Sequence, residues 1–172
     1  MPSGPAEAHD LGRSVHGVTV IREETRPMIR SFARLALPIA AGAFVACAIV
    51  QVFLAGLGVF DDPGSFITHR EFGYMFGWLT LVILVLSLVG RAPRRIIGLS
   101  VLLLVLFTFQ SIFVALRADM PAFAALHPLN GFAILGAGIV LTREAWTVRR
   151  VPAADAAASG ASTVAAGDLA DA

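Results

Sequence analysis

Residues 35–60 read LALPIAAGAFVACAIVQVFLAGLGVF, a run without one charged side chain. Wound as an α-helix rising 1.5 Å per residue, it is long enough to cross a hydrocarbon layer of about 30 Å. Three more runs of the same kind follow: Phe66 to Val89, Ile96 to Leu116, and a fourth that begins between Pro121 and Pro128 and ends near Trp146. Each supplies about 20 helical residues, the length one membrane crossing needs. No water satisfies backbone groups inside lipid, so a spanning segment must close its own hydrogen bonds as a helix. No stretch of ten residues alternates with period two, which argues against a transmembrane barrel. The fold class expected is all-α, an integral membrane bundle of four helices.

Composition agrees. Of the 172 residues, 57% are hydrophobic and 15% charged, and the mean hydropathy is +0.79. A soluble domain of this length needs more charge to cover its surface. The net charge of +1 points away from a nucleic-acid partner and leaves the lipid bilayer as the expected one. The lone cysteine, Cys47, sits inside the first run and has no second cysteine in the chain to bond with. It reads as a small apolar packing residue. Nucleophile–base pairs, a phosphate loop and zinc-ligand spacing are all missing from the sequence, so a hydrolase or a nucleotide-driven pump has no support.

The connections are short: Asp61-Asp62-Pro63-Gly64-Ser65, then Arg91-Ala92-Pro93-Arg94-Arg95, then Arg117-Ala118-Asp119. Short links between long helices set neighbours antiparallel and side by side, which gives an up-down-up-down ring. In that ring the second and fourth membrane helices face each other across a diagonal. No internal repeat is strong enough to argue from.

All 13 basic residues are arginines. Only Arg70 and Arg117 fall on the side of the first and third turns; the other eleven fall on the side of the tails and the second turn. The positive-inside rule therefore puts both termini in the cytoplasm. Residues 1–30 read as a flexible cytoplasmic tail without the apolar core of a cleaved signal peptide. Residues 31–150 hold the four helices. Residues 151–172, rich in Ala, Gly, Ser and Asp, read as a disordered cytoplasmic tail.

Polar groups within the apolar runs are few: Gln51, His69, Thr80, Thr108, Gln110, Ser111, His127 and Asn130. Such groups are costly in lipid and tend to face the bundle interior. His69 opens the second helix and His127 the fourth, and both helices start on the outer side. The two imidazoles are thus expected at similar depth on diagonal helices. His69, Gly73 and Gly77 share one helix face, as do His127, Gly131 and Gly138. The glycines leave room beside each histidine for a flat group, and phenylalanines 53, 72, 76, 109, 113, 123 and 132 are candidates to line an apolar pocket. This pattern suits one haem b with His69 and His127 as its axial iron ligands and Gly73 and Gly131 beside it. The two outer arginines, Arg70 and Arg117, are the expected partners of the haem propionates. A quinone or a membrane redox partner would then exchange electrons with it. The competing expectation, from the same residues, is a cofactor-free structural subunit or small-molecule carrier. Its histidines are then interface anchors and its glycines ordinary helix-packing positions.

Three stretches, Gln51–Phe60 (QVFLAGLGVF), His69–Gly73 (HREFG) and Leu126–Gly131 (LHPLNG), resemble an uncharacterised family of small bacterial four-helix membrane proteins, domain of unknown function 6220. The resemblance spans about residues 31–148 and implies a multi-pass protein of the bacterial plasma membrane. More coarsely, the layout is similar to one four-helix half of haem A synthase, in which paired histidines open the second and fourth helices and bind haem on the outer side. His69 and His127 match those two positions in order and depth. The acidic residue that the catalytic half of that enzyme carries upstream of a histidine in its first helix has no counterpart here, so haem A synthesis is not implied.

Overall fold

A computed structural model describes the backbone of residues 6–168 and the side chains of residues 27–149. Its helices are α1 (Ala6–Phe60), α2 (Ser65–Val89), α3 (Arg94–Ala115), the short α4 (Pro121–Ala124) and α5 (Leu126–Asp168). Most of the tails expected at 1–30 and 151–172 fall outside the residues whose side chains are described. Residues 1–5 and 169–172 lie outside the described residues altogether. Four segments are long and apolar enough to span a membrane: Pro27–Phe60, Ser65–Val89, Arg94–Ala115 and Pro121–Arg149. The fourth span does not start cleanly. A single turn, α4, comes first, and α5 begins one residue later at Leu126. Pro128 is the third residue of α5, where a missing N–H breaks no helical bond, so it starts the helix instead of kinking it.

Packing follows the expected ring. α1 lies against α2 and α5, α3 lies against α2 and α5, and α2 and α5 are diagonal. The seam that holds the ring together repeats at three and four residues: Leu37, Ala41, Phe44 and Ala48 on α1; Phe76, Thr80, Ile83 and Ser87 on α2; Ile96, Ser100 and Leu103 on α3; Ile134, Leu141 and Ala145 on α5. That spacing keeps one stripe of each helix turned inward. Several of these residues are small, which lets helices approach closely where lipid offers no hydrophobic drive between them. The buried hydroxyls cost little. Thr80 donates to the Gly77 carbonyl at 2.8 Å, Ser87 to Leu84 at 2.8 Å and Ser100 to Ile96 at 2.9 Å, each within its own helix. The outward face carries the large apolar side chains, among them Phe53, Trp78 and Phe132, as a lipid-facing surface requires.

The arginine-rich end is tied by polar contacts. Arg34 Nε donates to the Gly90 carbonyl at 3.0 Å, fastening α1 to the end of α2. Arg95 meets Glu144 at 3.0 Å between α3 and α5. After α2 the chain makes a Schellman turn: the Ala92 N–H reaches the Ser87 carbonyl and the Arg91 N–H that of Leu88. The left-handed position of such a turn is usually glycine, yet here it is Arg91, at φ 50°. Gly90 stands one residue earlier, where a Cβ would come 2.9 Å from the Leu86 carbonyl and 3.4 Å from Arg34 Cγ. The Leu86 carbonyl of its own helix leaves no room for a Cβ there, and the arginine takes the turn.

Candidate functional site: a histidine pair across the bundle

His69 and His127 meet. Their ring centres are 6.1 Å apart, with the planes at 65°. Both lie near the starts of diagonal helices, so the depth match expected from the sequence is realised as contact. Each ring is oriented by the main chain of a neighbouring helix. His69 Nδ1 lies 3.1 Å from the Gln51 carbonyl on α1, and His127 Nδ1 lies 3.2 Å from the Gln110 carbonyl on α3. A carbonyl has no proton to give, so each Nδ1 is the donor, which in a neutral ring leaves the lone pair on Nε2. That is how a second partner fixes a histidine for metal binding.

The two halves of the bundle repeat this pattern, a symmetry the sequence alone does not disclose. Gln51, His69 and Gly73 on α1 and α2 correspond to Gln110, His127 and Gly131 on α3 and α5. In both halves the histidine leans on the carbonyl of the glutamine and a glycine follows one turn later. A Cβ at Gly73 would come 2.7 Å from Gln51 Nε2, so this glycine makes room for the Gln51 amide, whereas a Cβ at Gly131 would be in ordinary contact, 3.5 Å from Gln110 Nε2.

The halves differ at one position. Asn130, three residues after His127, donates to Gln110 Oε1 at 2.6 Å and to the Leu106 carbonyl at 2.9 Å. With its oxygen engaged, Gln110 turns its NH2 toward His127 Nε2 at 3.3 Å. In the other half Phe72 stands where Asn130 would be. There Gln51 Nε2 donates to the His69 carbonyl at 2.7 Å, and Gln51 Oε1 is buried without a partner. Among the described residues His69 Nε2 makes no hydrogen bond. The glutamines therefore do not bond to each other; each serves the histidine of its own half.

Other expectations need correction. Of the phenylalanines suggested for an apolar pocket, Phe53, Phe109, Phe123 and Phe132 point outward. The aromatic cluster is instead Phe44, Phe72, Phe76 and Phe107, with ring centres 5.2–6.1 Å apart between touching pairs. Helical spacing puts it one layer deeper than the histidines on α1, α2 and α3. Residue type does not mark Phe44 and Phe107 as interior, because phenylalanine is equally at home facing lipid. Arg70 and Arg117 are both exposed. Arg70 is paired with its chain neighbour Glu71 at 2.8 Å, and Arg117 Nη1 lies on the Val114 carbonyl at 3.2 Å. Thr108 and Ser111 are also exposed. The open groove beside Thr142, Arg143, Trp146 and Thr147 is remote, about 22 Å farther along α5.

Two imidazoles are only two ligands. Among the described residues no group of three or more His, Cys, Asp or Glu side chains gathers to hold a metal ion. A zinc site built from side chains needs three or four.

No curated protein and no solved structure matches this chain. The coarser likeness to haem A synthase thus gains nothing from these comparisons. A family model does match, over residues 51–118, which takes in Gln51, His69 and Gln110 and stops short of His127. Over that stretch the chain is similar to the family of unknown function DUF6220, the uncharacterised family of four-helix membrane proteins that its sequence resembles.

Proposed function

We propose that this protein holds one haem b between His69 and His127 and exchanges single electrons with a quinone or another redox partner at the outer face of a bacterial plasma membrane. The observation that carries the proposal is the imidazole pair: ring centres 6.1 Å apart, each Nδ1 engaged by a main-chain carbonyl. A bound haem would supply a reversible one-electron couple. The chain's own part is to fix two ring orientations and surround the pair with apolar helix. The N-in, C-in orientation rests on the arginine distribution, which places the pair in the outer leaflet. Of the two outer arginines, Arg117 has no carboxylate partner among the described residues, whereas Arg70 is occupied by Glu71. Arg117 is therefore the better propionate partner.

A second reading is favoured by the Gln110 amide on His127 Nε2 and by the Gln51 amide filling the space at Gly73. In it the same residues form a polar network that joins the two halves of a cofactor-free structural subunit or carrier. One experiment separates the readings. The protein is produced with haem precursor supplied, purified in detergent, and its reduced-minus-oxidised spectrum recorded. Sharp b-type bands at near one haem per chain are expected. A folded protein that stays colourless after haem titration overturns the haem reading and leaves the network.

A further inference from the structure

The arginine-rich end of the bundle carries an open groove on α5, far from the histidine pair. It is lined by Thr142, Arg143, Trp146 and Thr147 and holds about 360 Å³, at the small end of ligand sites. Neighbouring helices fix its level in the membrane. The ion pair of Glu144 with Arg95 sets it beside the first turn of α3, where the apolar spans end. That is the boundary between hydrocarbon and headgroups, and a half-buried tryptophan such as Trp146 belongs there.

The charges of the groove suit an anion. At about 100° per residue, Arg143 and Arg149 flank Trp146 by about 60° on either side. Arg149 is folded over the indole, its guanidinium carbon 5.0 Å from the ring centre. Thr142 and Thr147 spend their hydroxyl protons on the carbonyls of Gly138, at 2.8 Å, and Arg143, at 2.9 Å. Glu144, the one carboxylate at this end between residues 27 and 149, is held by Arg95. Below the groove the same face turns apolar. Phe132, Gly136, Ile139, Arg143 and Trp146 follow at spacings of three and four and form one stripe. Phe132 and Ile139 are exposed, and a Cβ at Gly136 would meet nothing within 4 Å. From Arg143 down to Phe132 is about 16 Å, roughly half of a hydrocarbon layer of about 30 Å. A cationic head above an open apolar stripe one leaflet deep has the outline of a phospholipid.

We propose that this face of α5 binds one anionic phospholipid of the leaflet on the side of the tails, its phosphodiester between Arg143 and Arg149 and an acyl chain along Ile139, Gly136 and Phe132. Guanidinium forks match phosphate oxygens, and their stems extend from the apolar layer to the headgroups. The site stands whether or not the histidine pair holds a haem.

The chain has two tryptophans, so Trp78→Phe, at an exposed position, leaves Trp146 as the sole indole reporter. Full-length Trp78→Phe protein is placed in phosphatidylcholine nanodiscs with a minor share of phosphatidylglycerol. One lipid or the other is brominated high in its acyl chains, where bromine quenches only an indole it touches. At equal mole fractions, brominated phosphatidylglycerol should quench Trp146 more than brominated phosphatidylcholine. Arg143→Gln and Arg149→Gln, both at exposed positions, should each lower that preference roughly fivefold, the worth of one basic residue at an anionic surface. Arg91→Gln, exposed at the same end but after the diagonal helix α2, should leave it unchanged. Equal quenching by the two lipids overturns the proposal, and so does a preference that survives in the Arg143→Gln, Arg149→Gln double variant. An equal loss in Arg91→Gln overturns it by making the effect one of general surface charge. Loss of the preference on adding inorganic phosphate at constant ionic strength overturns it by making the ligand a free anion.

Discussion

At His69 and His127 two side chains that are 58 positions apart in the chain (127 − 69) share one contact, and single substitutions there carry the most information. In haem-loaded protein, His69→Ala and His127→Ala should each remove the low-spin, six-coordinate bands. If either variant keeps them unchanged, that histidine is not an axial ligand. The outer arginines give a graded test. Arg117→Ala should shift the haem midpoint potential, and Arg70→Ala should shift it less, because Glu71 already neutralises Arg70 at 2.8 Å. Both are exposed, so each effect is screened and should shrink with added salt. Equal shifts, or none, in a spectroelectrochemical titration would remove Arg117 from the propionate role. The roles of Gln51, Gln110 and Asn130 could not be read from residue type, because an amide in a membrane helix has many partners within reach. The Gln110–Asn130 clasp exists because two amides on different helices are brought to 2.6 Å.

Among the elements, the ends of α2 show local rules giving way to packing. Arg91 occupies a left-handed turn position at φ 50°, while the glycine stands one residue earlier, where a Cβ would come 2.9 Å from the Leu86 carbonyl. Arg91→Gly should therefore stabilise the bundle by about 1 kcal/mol, read as a higher unfolding temperature in detergent. An unchanged or lower Tm would mean that the arginine contributes more through its charge than its backbone costs. Farther up α2, Gly77 faces the Phe107 ring of α3, and a Cβ there would come 2.5 Å from Phe107 Cε1. Gly77→Val should destabilise by about 1–3 kcal/mol, the usual cost of overpacking. Adding Phe107→Ala should recover part of the loss, although it also removes the ring contacts of Phe107 with Phe44 and Phe76. If the double variant is no more stable than Gly77→Val alone, the clash is not what limits the single one.

For the whole molecule, the four spans among the described residues return the chain to the side from which the first span enters, and the arginine distribution predicts that this side is the cytoplasm. In a Cys47→Ser background, a cysteine placed at Asp62 should react with an impermeant thiol reagent added to intact cells, and one placed at Arg94 should react only after the membrane is opened. The reverse pattern would invert the orientation and move the histidine pair to the cytoplasmic leaflet. The bundle also has the form of two related hairpins, α1–α2 and α3–α5. Each contributes one histidine and one orienting carbonyl, so the pair forms only when the hairpins come together.

Sequence alone determined the solvent and the topology. Runs of uncharged residues must span lipid as helices, short turns must set them antiparallel, and the arginines bias the orientation, because each of these follows from local composition and the low polarity of the bilayer. It also placed His69 and His127 at similar depth, since helix starts and the rise per residue fix depth. Rotation about each helix axis was left to the tertiary structure. In a helix that is apolar on every face, periodicity does not tell inside from outside, so the phenylalanines were misassigned and the role of the glutamines stayed hidden. Only the packing of four small-residue seams turned the imidazoles onto each other, set the Gln51 and Gln110 carbonyls on their Nδ1 atoms, and gave Asn130 to one half and Phe72 to the other.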